Sequence, residues 1–171
     1  MTMTIVHTLA HAMAPWQSLY SDSKAVASVV TGVHLVAMLF GGGFAVAADR
    51  STLRALRREP SQRVHALTEM HAVHRPVLIA LALLFVSGVA LAAADVETFA
   101  TSPIFLLKLA IVTLLLINGA VLERTERMLR LETGAPGREP RLWQRLRMTA
   151  YLSLFFWTCA VVTGTVLVNV A

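Results

Sequence analysis

Four long apolar stretches separated by polar segments dominate the chain, at 25–48, 76–94, 103–122 and 148–170. Each has about the 20 residues that an α-helix needs to cross a bilayer at ~1.5 Å rise per residue. The pattern predicts four spanning helices in a single membrane domain, an all-α integral membrane four-helix bundle over 1–171. Ahead of the first span, apolar residues at Ile5, Leu9, Ala12, Met13 and Trp16 recur at helical spacing. Residues 1–23 are therefore expected to form a short amphipathic interfacial helix, with Trp16 and Tyr20 at headgroup level. The same segment lacks a basic start, and His7, His11 and Pro15 break its apolar run, so it does not read as a cleaved secretory signal.

Composition agrees with the pattern. A chain that is 56% hydrophobic, with a mean hydropathy of +0.65, is too apolar for an ordinary soluble domain. The charges then orient it. Arg50, Arg54, Arg57, Arg58, Arg63 and Arg75 lie between or beside spans one and two, and Arg124, Arg127, Arg130, Arg138, Arg141, Arg145 and Arg147 between or beside spans three and four. By the positive-inside rule both segments are cytoplasmic and both termini face outward. The opposite side carries Asp22, Lys24, Asp95 and Glu97. The net charge of +5 thus reports topology and contact with anionic lipid, and nucleic acid is not an expected partner.

The connectors carry little chemistry. Gly134, Pro136, Gly137 and Pro140 mark 132–140 as a turn-rich link. Residues 142–147 are expected to start the fourth helix on the membrane surface, and the second helix is expected to start near Ser61. No phosphate-binding glycine loop, nucleophile elbow or pair of carboxylates in a motif is present, which argues against a soluble-type hydrolase or a nucleotide-driven pump. Cys159 is a lone cysteine within the fourth span and reads as a small packing residue.

The polar residues inside the spans are the candidates for function. His34 is the only ionisable side chain of the first span and Lys108 the only charge of the third. An ionisable group in hydrocarbon costs a few kcal/mol even on lenient scales, so such residues face a protein interior, a cofactor or water. His34 lies ~15 Å below Lys24 along the helix, and Lys108 ~9 Å below Ser102. The two can share one site in the outer half, with Ser87 and Thr163 at comparable depth. A second group gathers at the cytoplasmic ends: Asp49, Arg50, His71, His74 and Asn118. His71 and His74 share a helix face. They can be a cofactor-binding pair or ordinary polarity at a helix start. His74 should stand roughly 20 Å from His34 along the membrane normal, too far for both to ligate one small metal.

Ala37, Gly41 and Ala45 follow His34 at helical spacing, and Gly42 and Gly43 widen this small-residue groove. Such a stripe admits either a neighbouring helix or a flat ring close to the backbone. His34 can accordingly be a packing or proton-handling residue, or a ligand to a metal or to heme iron. His7 and His11 share a face of the N-terminal helix and read as interfacial polar residues or as a metal pair.

The runs V-H-L-V-A-M-L-F-G-G-G-F-A-V-A-A-D-R at 33–50, H-R-P-V-L-I-A-L-A-L-L-F-V-S-G-V-A-L at 74–91 and S-P-I-F-L-L-K-L-A-I-V at 102–112 carry a resemblance over nearly the whole chain. In these runs the chain resembles an uncharacterised four-helix family of small bacterial inner-membrane proteins, similar in plan to the copper-resistance D proteins and the HemJ-type protoporphyrinogen oxidases. The HemJ-like resemblance implies heme b held by His34, with Lys108 catalytic or pairing an anionic group of a porphyrin. The copper-resistance resemblance implies copper at His34, for which Met38 is the nearby thioether. Two positions depart from the HemJ-like pattern: Asn118 stands where a late histidine is usual, and Leu39-Phe40-Gly41 where a tryptophan motif is usual. No histidine lies in spans three and four, so at most one heme is expected. Its second axial position would be empty, filled by a non-histidine group, or filled by His7 or His11.

The expected role is thus a heme-b-binding redox protein of the bacterial inner membrane, with periplasmic termini. Two other readings remain open. One is a copper-handling protein, and the other is a non-enzymatic accessory or scaffold subunit that binds lipid and a larger membrane complex or further copies of itself. Residues alone do not decide whether the chain is an enzyme.

Overall fold

The computed structural model describes residues 2–57, 60–131 and 139–170, with side chains throughout except at 2–5, 60–75, 168 and 170. Among the described residues the chain is helical, in the order α1 (Thr2–Asp22), α2 (Lys24–Ala55), α3 (Pro60–Ala94), α4 (Val96–Thr101), α5 (Pro103–Leu131) and α6 (Glu139–Val170). Four of these, α2, α3 from Pro76 onward, α5 and α6, are long and apolar enough to cross a membrane. The expected all-α class and the four apolar helices are present.

Local chemistry sets the helix starts. Ser23 caps α2, its hydroxyl accepting from Val26 N at 3.3 Å, and Asp95 caps α4 by accepting from Thr98 N at 3.1 Å. Ser102 accepts from Phe105 N at 3.3 Å, with Pro103 at the first helical position, where its missing N–H costs nothing. The same logic moves one expected boundary. Pro140 belongs to the first turn of α6 and not to the preceding link, because proline fits a helix start. α3 begins at Pro60, close to the expected Ser61, and runs on through Pro76.

α2 packs along α3 and against α6, and α5 packs along α6, so that α2 and α6 form the centre of the bundle. Large apolar side chains point outward on every span, including Leu39, Phe40, Phe85, Val86, Ile117, Phe155 and Val162. In water such a surface would be a continuous apolar patch, whereas against acyl chains it is matched. Between helices in lipid the hydrophobic effect is weak, so association depends on close packing of small residues. The face Ala37, Gly41, Ala45 does this: all three are buried. A Cβ added at Gly41 would stand 3.1 Å from Ala80 Cβ and 3.5 Å from Trp157 Cη2, and one at Gly42 would stand 3.4 Å from Trp157 Cε3. The flat ring on the glycine groove is the indole of Trp157. With Ala45 and Leu115 it forms an apolar layer, packed by Met38, Leu81, Leu84 and Phe156.

Towards the arginine-rich end, α2, α5 and α6 continue beyond this layer. Leu129, Leu142, Trp143 and Leu146 make a second core, with Leu56 and Leu122 packed on it. At the opposite end, which carries Asp95 and Glu97, α1 packs on α3, α4 and α2. It lies within the 1–23 segment expected to be helical, and Trp16 is tied to protein: its Nε1 donates to Ala90 O at 2.8 Å. Tyr20 Oη lies 3.4 Å from Thr31 Oγ1 on α2.

Replacing Trp157 by Ala should cost about 3–5 kcal/mol, and Gly41→Leu about 1–3 kcal/mol through overpacking. Gly43→Leu should be near neutral, since nothing lies within 4 Å of a Cβ there. Denaturant unfolding in detergent micelles, run on the three variants together, checks the order.

Candidate functional site

The half of the bundle towards the acidic end brings polar residues of α2, α3 and α5 and a glycine of α6 towards a common level. His34 on α2 is half-buried, and its Nδ1 lies 2.9 Å from Ser87 Oγ on α3. Ser87 is buried, and its hydroxyl donates to Leu83 O at 2.6 Å. With its hydrogen on Leu83 O, Ser87 Oγ accepts from His34 in the tautomer whose Nδ1 carries the hydrogen, and the ring has a further hydrogen bond with the backbone of Leu84. A neutral imidazole holds one such hydrogen, which leaves Nε2 with a free lone pair. The next residue, Gly88, makes room for the ring: a Cβ there would stand 3.4 Å from His34 Cε1. The serine-glycine pair of α3 thus orients and accommodates the histidine of α2.

Lys108 on α5 is half-buried and lies across α6. A Cβ at Gly164 would stand 3.3 Å from its Nζ and 3.7 Å from its Cε. Lys108 is near enough for its charge to act on the His34 ring. Of the two residues expected to line the site, Ser87 does so directly. Thr163 instead turns its hydroxyl back to Cys159 O at 2.7 Å, a bond typical of threonine within a helix. Gly164, beside it, is the actual neighbour of Lys108. The lack of a side chain marks that position only once the lysine is seen resting on it.

The histidines of α1 do not complete this site. His7 Nδ1 meets Glu97 Oε1 on α4 at 3.2 Å, with both side chains well exposed, and His11 is exposed on α1. Met38 packs into the apolar layer around Trp157. Among the described residues no group of three His, Cys, Asp or Glu is placed to hold a metal ion. The side chains of His71 and His74 lie outside the described residues. By helix rise, position 74 is ~20 Å along α3 from Ser87, and therefore from the level of His34.

No family model, curated protein or solved structure matches this chain. What the site can do therefore rests on its own residues: one oriented imidazole with a free nitrogen, one ammonium on a glycine, and no carboxylate beside either among the described residues.

The arginine-rich half holds a second polar layer. Asp49, Thr52, Asn118, Thr125, Glu126, Thr149 and Ser153 are all buried there. Asp49 and Asn118 belonged to the group expected at this end. Arg50 is exposed, and Asn118 has a structural task, its Nδ2 donating to Thr149 O at 2.9 Å to tie α5 to α6. Glu126, Thr125, Thr52 and Ser153 were not singled out from the sequence. The signal for Glu126 was available in its spacing from Leu115, Asn118, Leu122 and Leu129, one helical stripe that continues inward past the apolar span.

Ser87→Ala removes the acceptor for His34 Nδ1 and should cost about 1–3 kcal/mol. In a double-mutant cycle with His34→Ala, measured by unfolding in detergent, the two changes should couple by at least ~0.5 kcal/mol, whereas independent residues would add.

Proposed function

We propose that this chain is a multi-pass protein of a bacterial inner membrane that binds heme b through His34 Nε2 and serves a redox role. The observation that carries the reading is the hydrogen-bonding order at His34. Ser87 fixes the ring by Nδ1 and leaves Nε2 as a Lewis base, the arrangement that ligating histidines usually have. Lys108 suits the same reading, because an ammonium at membrane depth pairs well with a propionate or another carboxylate and favours the reduced state of a nearby iron.

The residues fit this group in part. The donor and the cation are in place, while the glycine groove of α2 is filled by Trp157. The gaps at Gly88 and Gly164 are taken up by His34 and Lys108 themselves, the two residues that would hold the group. When bound, heme would supply the one-electron redox capacity that side chains lack. The protein's own contribution would be to orient His34 through Ser87, to hold an anionic group at Lys108, and to close the site towards the arginine-rich end with the Trp157 layer.

Orientation follows from charge. The two arginine-rich segments are proposed to face the cytoplasm and both termini the periplasm, with anionic lipid around the cytoplasmic end.

Protein expressed with ample heme and purified in detergent should show a Soret band. The band should be lost in His34→Ala and retained in His71→Ala. A colourless, metal-free wild-type protein would favour the accessory or scaffold role. A copper content that depends on His34, without a Soret band, would favour copper handling.

A further inference from the structure

The buried layer at the arginine-rich end contains a carboxylate that the heme reading does not use. Asp49 is 3% exposed and Glu126 likewise 3%. Ser153 is hydrogen-bonded to Asp49, and the charge of Glu126 acts on it. The other oxygen of Asp49, Oδ2, is buried with no hydrogen-bond partner among the described residues. An ionised carboxylate in that position would lose its hydration on one side and face a second acid on the other. Either effect disfavours the charge, and together they favour a neutral acid.

The surroundings contain few compensating groups. On α2 the adjacent Arg50 is exposed, and on α5 Arg124 and Arg127 are exposed, while Arg130, one turn beyond Glu126, is half-buried. On α6 the group that meets Asp49 is the neutral Ser153, while Arg145 and Arg147 are exposed. The pairing of His34 with Ser87 and of Gly41 with Ala80 sets the register of α2 on α3. Continued inward, that register brings Glu69, His71, His74 and Arg75 of α3 past the level of Asp49, which makes a histidine or Arg75 the alternative source of compensating charge.

We propose that Asp49, with Glu126 beside it, is a proton-binding site of this protein, occupied at neutral pH by a proton carried on Asp49. The proton is taken from water at the arginine-rich end and adds to Oδ2, which becomes an O–H donor. No other bond changes. The Trp157 layer separates this site from His34, and Asp49 lies ~22 Å further along α2 at 1.5 Å per residue. The two are therefore distinct sites on opposite sides of one apolar barrier, and the proton site stands whether or not heme binds.

Infrared spectroscopy of the full chain in lipid nanodiscs reads this directly. The wild-type protein should show the C=O stretch of a protonated carboxylic acid at neutral pH, shifted by exchange into D2O and absent in Asp49→Asn. Because an amide resembles a neutral acid in shape, Asp49→Asn should keep the wild-type melting temperature within a few degrees. Glu126→Gln removes the neighbouring acid, so the band should titrate away at lower pH than in the wild-type protein. A wild-type protein with no protonated carboxyl at neutral pH would overturn the proposal, since Asp49 would then be ionised and paired with a cation such as His71 or Arg75. A band that survives in Asp49→Asn would overturn it too. Should Asp49→Asn fail to fold, the wild-type band and its response to Glu126→Gln decide alone.

Discussion

The hydrogen bond between His34 Nδ1 and Ser87 Oγ, 2.9 Å long, is the contact on which the functional half of the bundle depends. An imidazole at membrane depth has no water to satisfy it, so protein must supply a partner or a ligand. Ser87 Oγ is the partner of Nδ1, and the backbone of Leu84 gives the ring a further hydrogen bond. With the Ser87 hydrogen on Leu83 O, Nδ1 is the nitrogen that donates and Nε2 the one that keeps its lone pair. Gly88 then lets the ring sit against α3, and Lys108 approaches from α5 over Gly164. Each of the four spanning helices thus contributes a residue or a gap to one site.

What keeps that site apart from the rest is packing. Lipid gives helices little hydrophobic reason to associate, and the small face Ala37, Gly41, Ala45 lets α3 and α6 approach α2 closely enough for dispersion to hold them. Trp157 seals the contact. Its indole fills the groove beside the glycines, and the apolar layer around it divides the interior into a basic, histidine-containing half and an acidic, hydroxyl-rich half. The acidic half lies where α2, α5 and α6 run on past the apolar layer into the core of Leu129, Leu142, Trp143 and Leu146.

Much of this was legible in the sequence because bilayers impose a simple rule. Length and hydropathy located the four apolar helices, and rise per residue put His34, Lys108 and Ser87 at one level. Residue-by-residue packing was less accessible. The stripe at Gly41 reads equally well as a seat for a cofactor or for a neighbour, and only the position of Trp157 chooses. Thr163 and Gly164 differ by one residue and a third of a helical turn, which is enough to swap a hydroxyl for the gap that Lys108 occupies. Glu126 fell outside the apolar window at 103–122, and among the many charges near the arginine-rich end nothing in its residue type distinguished it from solvated ones. The helix register of α5, extended beyond the hydrophobic stretch, is what buries it.

The state of the His34 ring is the most direct point to measure. Nitrogen NMR of the full chain in lipid, with ¹⁵N-labelled histidine assigned through His34→Gln, reports which nitrogen bears the hydrogen. Ser87 as acceptor requires a protonated Nδ1 and an Nε2 with a free lone pair in the cofactor-free protein. A ring protonated on Nε2, with Nδ1 accepting from Ser87, would remove the free donor on which the proposed function rests.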